Sequence, residues 1–147
     1  MLTIRPYTTS DREGLVDIWL EASRVGHPFL SEQDLREQKV LVRDVYLPKA
    51  ENWVAVEAGE PLGFIGLLDC FVGGLFVRPS AHGQGVGRVL IEHAASLKGR
   101  LEVEVYALNR GALAFYQRLG FTETGRREKD DQGRPLELVR LARPERA

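Results

Sequence analysis

Two blocks of this 147-residue chain carry residue types at spacings that can do chemistry. The first is Leu75-Phe76-Val77-Arg78-Pro79-Ser80-Ala81-His82-Gly83-Gln84-Gly85-Val86-Gly87-Arg88. It opens with an apolar run, and Pro79 stops any strand ladder because proline has no N–H to donate. Glycines then recur at alternate positions, and Val86, Val89, Leu90, Ala94 and Leu97 follow at helical spacing. A strand, a glycine loop and a helix N-terminus together form an anion site. The first helical amides lack an intrahelical acceptor, the dipole adds partial positive charge, and glycine admits a close ligand. The natural guest is a phosphate or pyrophosphate. A nucleotide-triphosphate loop needs Lys-Ser or Lys-Thr after its glycines, and none follows here. The dinucleotide fingerprint started at Gly83 needs its third glycine where Arg88 stands. A glycine-rich turn that caps a helix and binds nothing is the plainer alternative.

The second block lies about 20 residues on: Asn109, then Ala112-Leu113-Ala114-Phe115-Tyr116-Gln117-Arg118-Leu119-Gly120-Phe121. Together the blocks resemble the GCN5-related N-acetyltransferases (GNAT). The first matches that family's Arg/Gln-x-x-Gly-x-Gly/Ala loop through Gly85 and Gly87, with His82 where Arg or Gln is usual. The second matches Asn-x-x-Ala-x-x-Phe-Tyr-x-x-x-Gly-Phe. The resemblance is strong over residues 75–125. It implies an acetyl-coenzyme A-dependent N-acetyltransferase that moves an acetyl group to a primary amine of a small molecule or protein, by direct transfer in a ternary complex. It assigns cofactor contacts to Leu75, Phe76, Val77, His82, Gly83, Gln84, Gly85, Val86, Gly87, Arg88, Asn109, Ala112 and Phe115. Asn109 also fits a helix N-cap.

Acetyl transfer to an amine sets three tasks. The amine must lose a proton, the oxyanion needs a donor (here a backbone N–H near Phe76 or Val77), and the leaving thiolate needs a proton or a hydrogen bond. Tyr116 stands where many family members place a general acid; the alternative is a core tyrosine with its hydroxyl satisfied locally. Leu101-Glu102-Val103-Glu104-Val105 alternates, so the two carboxylates share one strand face. Glu104 matches the base position of the family's ribosomal-protein acetyltransferases, against a solvated strand face as the plain reading. His27 lies in a loop that borders the acceptor pocket in this family and competes for the same role. His82 reaches a phosphate only if protonated, His93 reads as packing, and Cys70 has no evident activator.

These groups must be held by a fold, and the remaining sequence outlines it. Hydrophobic residues at 44% and charged residues at 28% are ordinary for a globular protein, and the net charge of −1 favours neither nucleic acid nor an anionic membrane. No apolar run of about 18 residues and no N-terminal signal pattern occurs. One cysteine excludes an internal disulfide and suits a reducing cytoplasm, and three scattered histidines make no metal set. Leu2–Pro6 reads as an edge strand. Ser10–Glu13 reads as a capping box for a helix carrying Leu15, Ile18, Trp19 and Ala22. Ser31 caps a second helix that ends before Pro48. Strands over 53–56 and 62–68 flank an Ala58–Pro61 turn. The expected architecture is α/β: one domain over 1–147, a mixed, mostly antiparallel sheet with helices on both faces. The family resemblance adds central strands that splay below the cofactor. The chain is expected to act as a monomer or homodimer. The competing function is a non-catalytic acyl-coenzyme A sensor; a nucleotide-binding protein is a third reading.

Overall fold

The computed structural model describes residues 1–145. Seven strands form one sheet: β1 (Leu2–Pro6), β2 (Glu51–Glu57), β3 (Glu60–Leu68), β4 (Phe71–Val77), β5 (Leu101–Tyr106), β6 (Thr122–Arg127) and β7 (Leu138–Arg143). Their spatial order is β1-β2-β3-β4-β5-β7-β6. All neighbours are antiparallel except β4 and β5. β1 is an edge strand, as its terminal Pro6 requires. The β2–β3 turn places Ala58 at φ 51° and Gly59 at φ 80°, the two positive values of a tight hairpin turn.

The helices are α1 (Arg12–Gly26), α2 (Glu32–Leu41), the single turn α3 (Leu47–Lys49), α4 (Val86–Lys98) and α5 (Arg110–Arg118). Helices α4 and α5 cover one face of the sheet, over Ile65, Leu67, Val72, Leu101, Val103, Val105, Phe121, Val139 and Leu141. Helices α1 and α2 cover the other, over Val54 and Phe64.

Three local readings are corrected. The box ahead of α1 is built from Thr8, whose N–H donates to the Asp11 carboxylate at 2.8 Å, and not from Ser10 and Glu13; Asp11 is fixed there by Arg5 through two 2.8 Å bonds. Helical backbone continues past Pro48 through a wider π turn, Val42–Tyr46, into α3. The wider coil relieves the collision that a proline ring makes with the carbonyl four residues back. On α4, Ile91 is buried, whereas Val89 and Leu97 are exposed. The Ser31 box did form: its hydroxyl accepts from Asp34 N–H, and its own N–H donates to Asp34 Oδ2, both at 3.0 Å.

The sheet is nearly cut in two. β4 pairs with β5 only at Phe71–Glu102 and Val72–Val103. Beyond these pairs β4 bonds only to β3 and β5 only to β7, so a gap opens toward Val77 and Tyr106. A register shift between Gly66 and Leu67 places Gly73 as the extra residue of a bulge just past the last pair.

Candidate active site

The first wall of the gap is the end of β4 and the turn into α4. Gly83 and Gly85 have φ of 80° and 82°, and nothing lies within 4 Å of where a side chain would start. Both glycines are there for the left-handed backbone. Gly85 is the N-cap, and the first helical bond runs from Val89 N–H to Gly85 O at 3.0 Å. The amides of Val86, Gly87 and Arg88 therefore have no intrahelical acceptor and lie at the positive end of α4. Gly87 does different work. A Cβ there would sit 3.0 Å from Phe115 Cζ, so this glycine lets α4 and α5 approach. An open cleft of about 460 Å³ beside it is lined by Arg88, Glu92, Phe115, Arg118 and Leu119.

His82 turns back on the loop: its Nε2–H donates to Val77 O at 3.0 Å. Gln84 donates to Ser80 O at 3.4 Å. Both side chains brace the turn and leave the backbone amides as its anion-facing groups. Leu75 and Val77 lean on the α4 side, and Phe76 leans on the α1 side, 5.6 Å from the Phe64 ring. The β5-facing edge of β4 from Gly73 to Val77 has no ladder partner.

The second wall is the entry to α5. Asn109 Oδ1 accepts from Ala112 N–H at 3.1 Å, a true N-cap. Its Nδ2 abuts the end of α1, 3.1 Å from where a Gly26 side chain would begin. Ala112 and Phe115 pack against the α4-side core. Tyr116 is buried, with its ring edge-on to Phe115 at 5.1 Å and to Phe121 at 5.2 Å. Its hydroxyl bonds no described residue, yet it is not among the sealed, unpartnered polar atoms. Burial pushes the phenol above its usual range, so it carries its proton at neutral pH.

On the opposite face, His27 follows the last turn of α1. Its ring packs against Phe29 at 5.4 Å and Tyr106 at 5.0 Å. Burial lowers its pKa to about 4, so the imidazole is neutral near pH 7. Neither ring nitrogen hydrogen-bonds to a described residue. Glu104 is paired instead: Oε2 accepts from Arg127 Nε and Oε1 from Arg127 Nη2, both at 2.9 Å. Arg140 adds a contact at 3.9 Å. His93 packs edge-on to Trp53 at 4.5 Å, as expected. Cys70 lies 3.7 Å from Arg100 and 3.8 Å from Glu102. Among the described residues no group of three His, Cys, Asp or Glu gathers as a metal site, and no helix is long and apolar enough to cross a membrane.

Sequence reading missed Tyr106 and Phe29, which line the same side; Asp130 and Arg134, also there, read from sequence as a hairpin tip that borders the acceptor pocket in the resembled family. Tyr106 O–H donates to Asp130 Oδ2 at 2.9 Å, and Arg134 joins Asp130 to Asp34 across 100 residues of sequence. For Tyr106 the sequence signal is the alternation of β5, which puts it on the Glu104 face.

A split sheet, a glycine-capped helix at its gap and an asparagine-capped helix opposite define the class. The Acetyltransferase (GNAT) domain model matches residues 48–123, and the chain belongs to that family. It is an acetyltransferase. It is 42% identical over 143 residues to the peptidyl-lysine N-acetyltransferase YjaB of Escherichia coli K12, covering 97% of each chain. The solution structure of apo-form YjaB from Escherichia coli superimposes with a TM-score of 0.90 at 41% identity, covering 97% of each. The PaiA N-acetyltransferase of Thermoplasma acidophilum, solved in complex with coenzyme A, shares the fold with a TM-score of 0.77 at 14% identity, covering 98% of this chain and 99% of that one. The non-catalytic sensor reading is not favoured by these matches.

Proposed function

We propose that this acetyltransferase draws its acetyl group from acetyl-coenzyme A and passes it directly to the side-chain amine of a peptide lysine. One observation carries the cofactor assignment: the unpaired amides of Val86, Gly87 and Arg88 stand beside the unpaired edge of β4. The first group suits a pyrophosphate, and the second suits the amides of a pantetheine arm added like a strand. The cleft between Arg88, Phe115 and Arg118 suits the nucleotide end. Acetyl-coenzyme A, when bound, supplies an activated thioester. The lysine acceptor rests on the similarity to YjaB.

Tyr116 acts as the proton donor. Its hydroxyl bonds no described residue, which leaves it available to a bound thiol. A phenol that keeps its proton can donate to a thiolate with pKa about 8.5. A backbone N–H near Phe76 or Val77 stabilises the oxyanion. His27 takes the proton that the amine sheds as its bond to the acetyl carbon forms, which makes that nitrogen far more acidic; the imidazole is neutral and neither nitrogen bonds a described residue. Glu104 can do so only after Arg127 releases it, so its role is to hold Arg127 and the β6–β7 face. We assign residues 1–147 to one catalytic domain, acting as a monomer or homodimer in the cytoplasm.

The test is calorimetry with acetyl-coenzyme A against ATP and NAD, followed by thiol release and mass spectrometry on a lysine peptide. Selective binding of acetyl-coenzyme A and an acetylated lysine are the expected results. Binding with no thiol release from any amine would replace the enzyme with the sensor.

A further inference from the structure

Tyr106 ends β5 at the open end of the gap, and three separate segments converge on it. From the α1–α2 loop, His27 and Phe29 pack edgewise on its ring at 5.0 and 5.1 Å. From α2, Gln38 Nε2 donates to its hydroxyl at 3.4 Å. From the connection between β6 and β7, Asp130 accepts its proton at 2.9 Å.

Asp130 is only 5% exposed, and its oxygens are committed. Oδ1 accepts from the amides of Gln132 and Arg134, at 3.1 and 2.9 Å. Oδ2 accepts from Tyr106 and from Arg134 Nη1 at 3.2 Å. Arg134 then reaches α2 through Asp34 at 3.0 Å and Glu37 at 3.5 Å. Asp34 is the residue that boxes Ser31 at the start of α2. Leu136 and Phe29 each pack against the core on the α1 and α2 side of the sheet. The α1–α2 loop and the β6–β7 connection share no strand, so Tyr106 and Asp130 are their common fastening. A buried carboxylate that loses one of its four donors is left with an exposed lone pair inside the protein, and the fastening weakens.

We propose that Tyr106 is a positioning residue for the amine acceptor: with Asp130 it latches the His27–Phe29 loop, α2 and the 128–137 connection into one wall, and this wall sets which amines are taken. This rests on the proposed acetyl transfer, with the acceptor entering on the face of the sheet that holds His27. The latch lies away from the amides of α4, so it acts on the acceptor and not on acetyl-coenzyme A.

The experiment uses the full chain with Tyr106→Phe, Asp130→Asn and the double variant. The acceptors are a short lysine peptide, spermidine and a peptide with a free N-terminal alanine. In Tyr106→Phe the KM for the lysine peptide rises about fivefold to tenfold and the preference over the other two amines narrows. Acetyl-coenzyme A affinity stays within about twofold. The double variant is no worse than the poorer single one, as expected for two groups in one latch. Hydrogen exchange rises at residues 27–31 and 130–136 and is unchanged in β2 and β3. Unchanged exchange in those two segments, an unchanged acceptor KM, or an equal loss of acetyl-coenzyme A affinity would each overturn the proposal. Failure of the underlying reading looks different: the wild-type protein then releases no thiol with any of the three amines.

Discussion

The two sides of the β4/β5 gap are built from different materials. The side we assign to the cofactor is backbone: a bulge at Gly73, two left-handed glycines and three amides without an intrahelical acceptor. The side we assign to the acceptor is side chains: His27, Phe29, Tyr106, Asp130 and Arg134, fastened by ring contacts and charged hydrogen bonds. A backbone site depends on where glycines fall and tolerates change in the side chains around it. A side-chain site depends on several distant residues at once. One chain can thus keep a fixed donor site while its acceptor site is retuned by single substitutions.

Tyr116 is the proposed proton donor, and its loss should cost most. Tyr116→Phe keeps the ring between Phe115 and Phe121 and removes the hydroxyl. The expected fall in kcat is about 10²- to 10⁴-fold, with acetyl-coenzyme A affinity nearly unchanged. Normal kcat with a lowered melting temperature would instead return Tyr116 to the core. His27→Gln is next. It should lower kcat by about 10²-fold near neutral pH and recover in part at high pH, where the amine deprotonates unaided. A wild-type pH–rate profile in this variant would remove His27 from the chemistry.

The glycines test whether the cofactor side is truly backbone. Gly85→Asp puts a carboxylate and a Cβ at φ 82° on an anion site, and acetyl-coenzyme A affinity should fall about 10- to 100-fold. Gly87→Ala only presses on the Phe115 ring, 3.0 Å away. It should lower the melting temperature by about 2–4 °C and leave affinity within about threefold. Calorimetry and melting on both variants decide the matter; equal losses of affinity would merge the two roles assigned here.

The smallest effect is on stability against pH. Burial holds His27 at about 4 when folded, against about 6.5 when unfolded. The unfolded chain therefore binds this proton first. The stability that His27 contributes is intact above about pH 6.5 and is lost as pH falls toward 4. Melting temperatures of wild type and His27→Gln should converge across that window; parallel curves would place the histidine in water.

How far each side could be read from sequence follows the same division. Glycine spacing, Pro79 and the Asn109 block are local signals, and they mark the side assigned to the donor. Even there, Gly87 read as a third loop glycine, because only the fold brings Phe115 over it. In the second half, β5 was legible from its alternation, and the starts of α4 and α5 from the glycine turn and from Asn109. The insertion of β7 between β5 and β6 was not. Asp130 and Arg134 read as an ordinary hairpin tip, since their partners Tyr106 and Asp34 lie 24 and 100 residues away. Glu104 read as a free carboxylate because nothing local announces Arg127, 23 residues on.

The two residue pairs that join β4 to β5 also bear on how the chain assembles. β2 to β4 form a meander whose two hairpins close over short loops, whereas β5 must pair with β7 across the whole of α5 and β6. Local contacts form early and long-range pairings wait for loop closure. The half-sheet ending at Val77 can thus order as one cooperative unit and the half-sheet of β5, β7 and β6 as another. The seam between them is where native-state opening should begin, and a bound molecule spanning that seam would couple the two halves into a single unfolding transition.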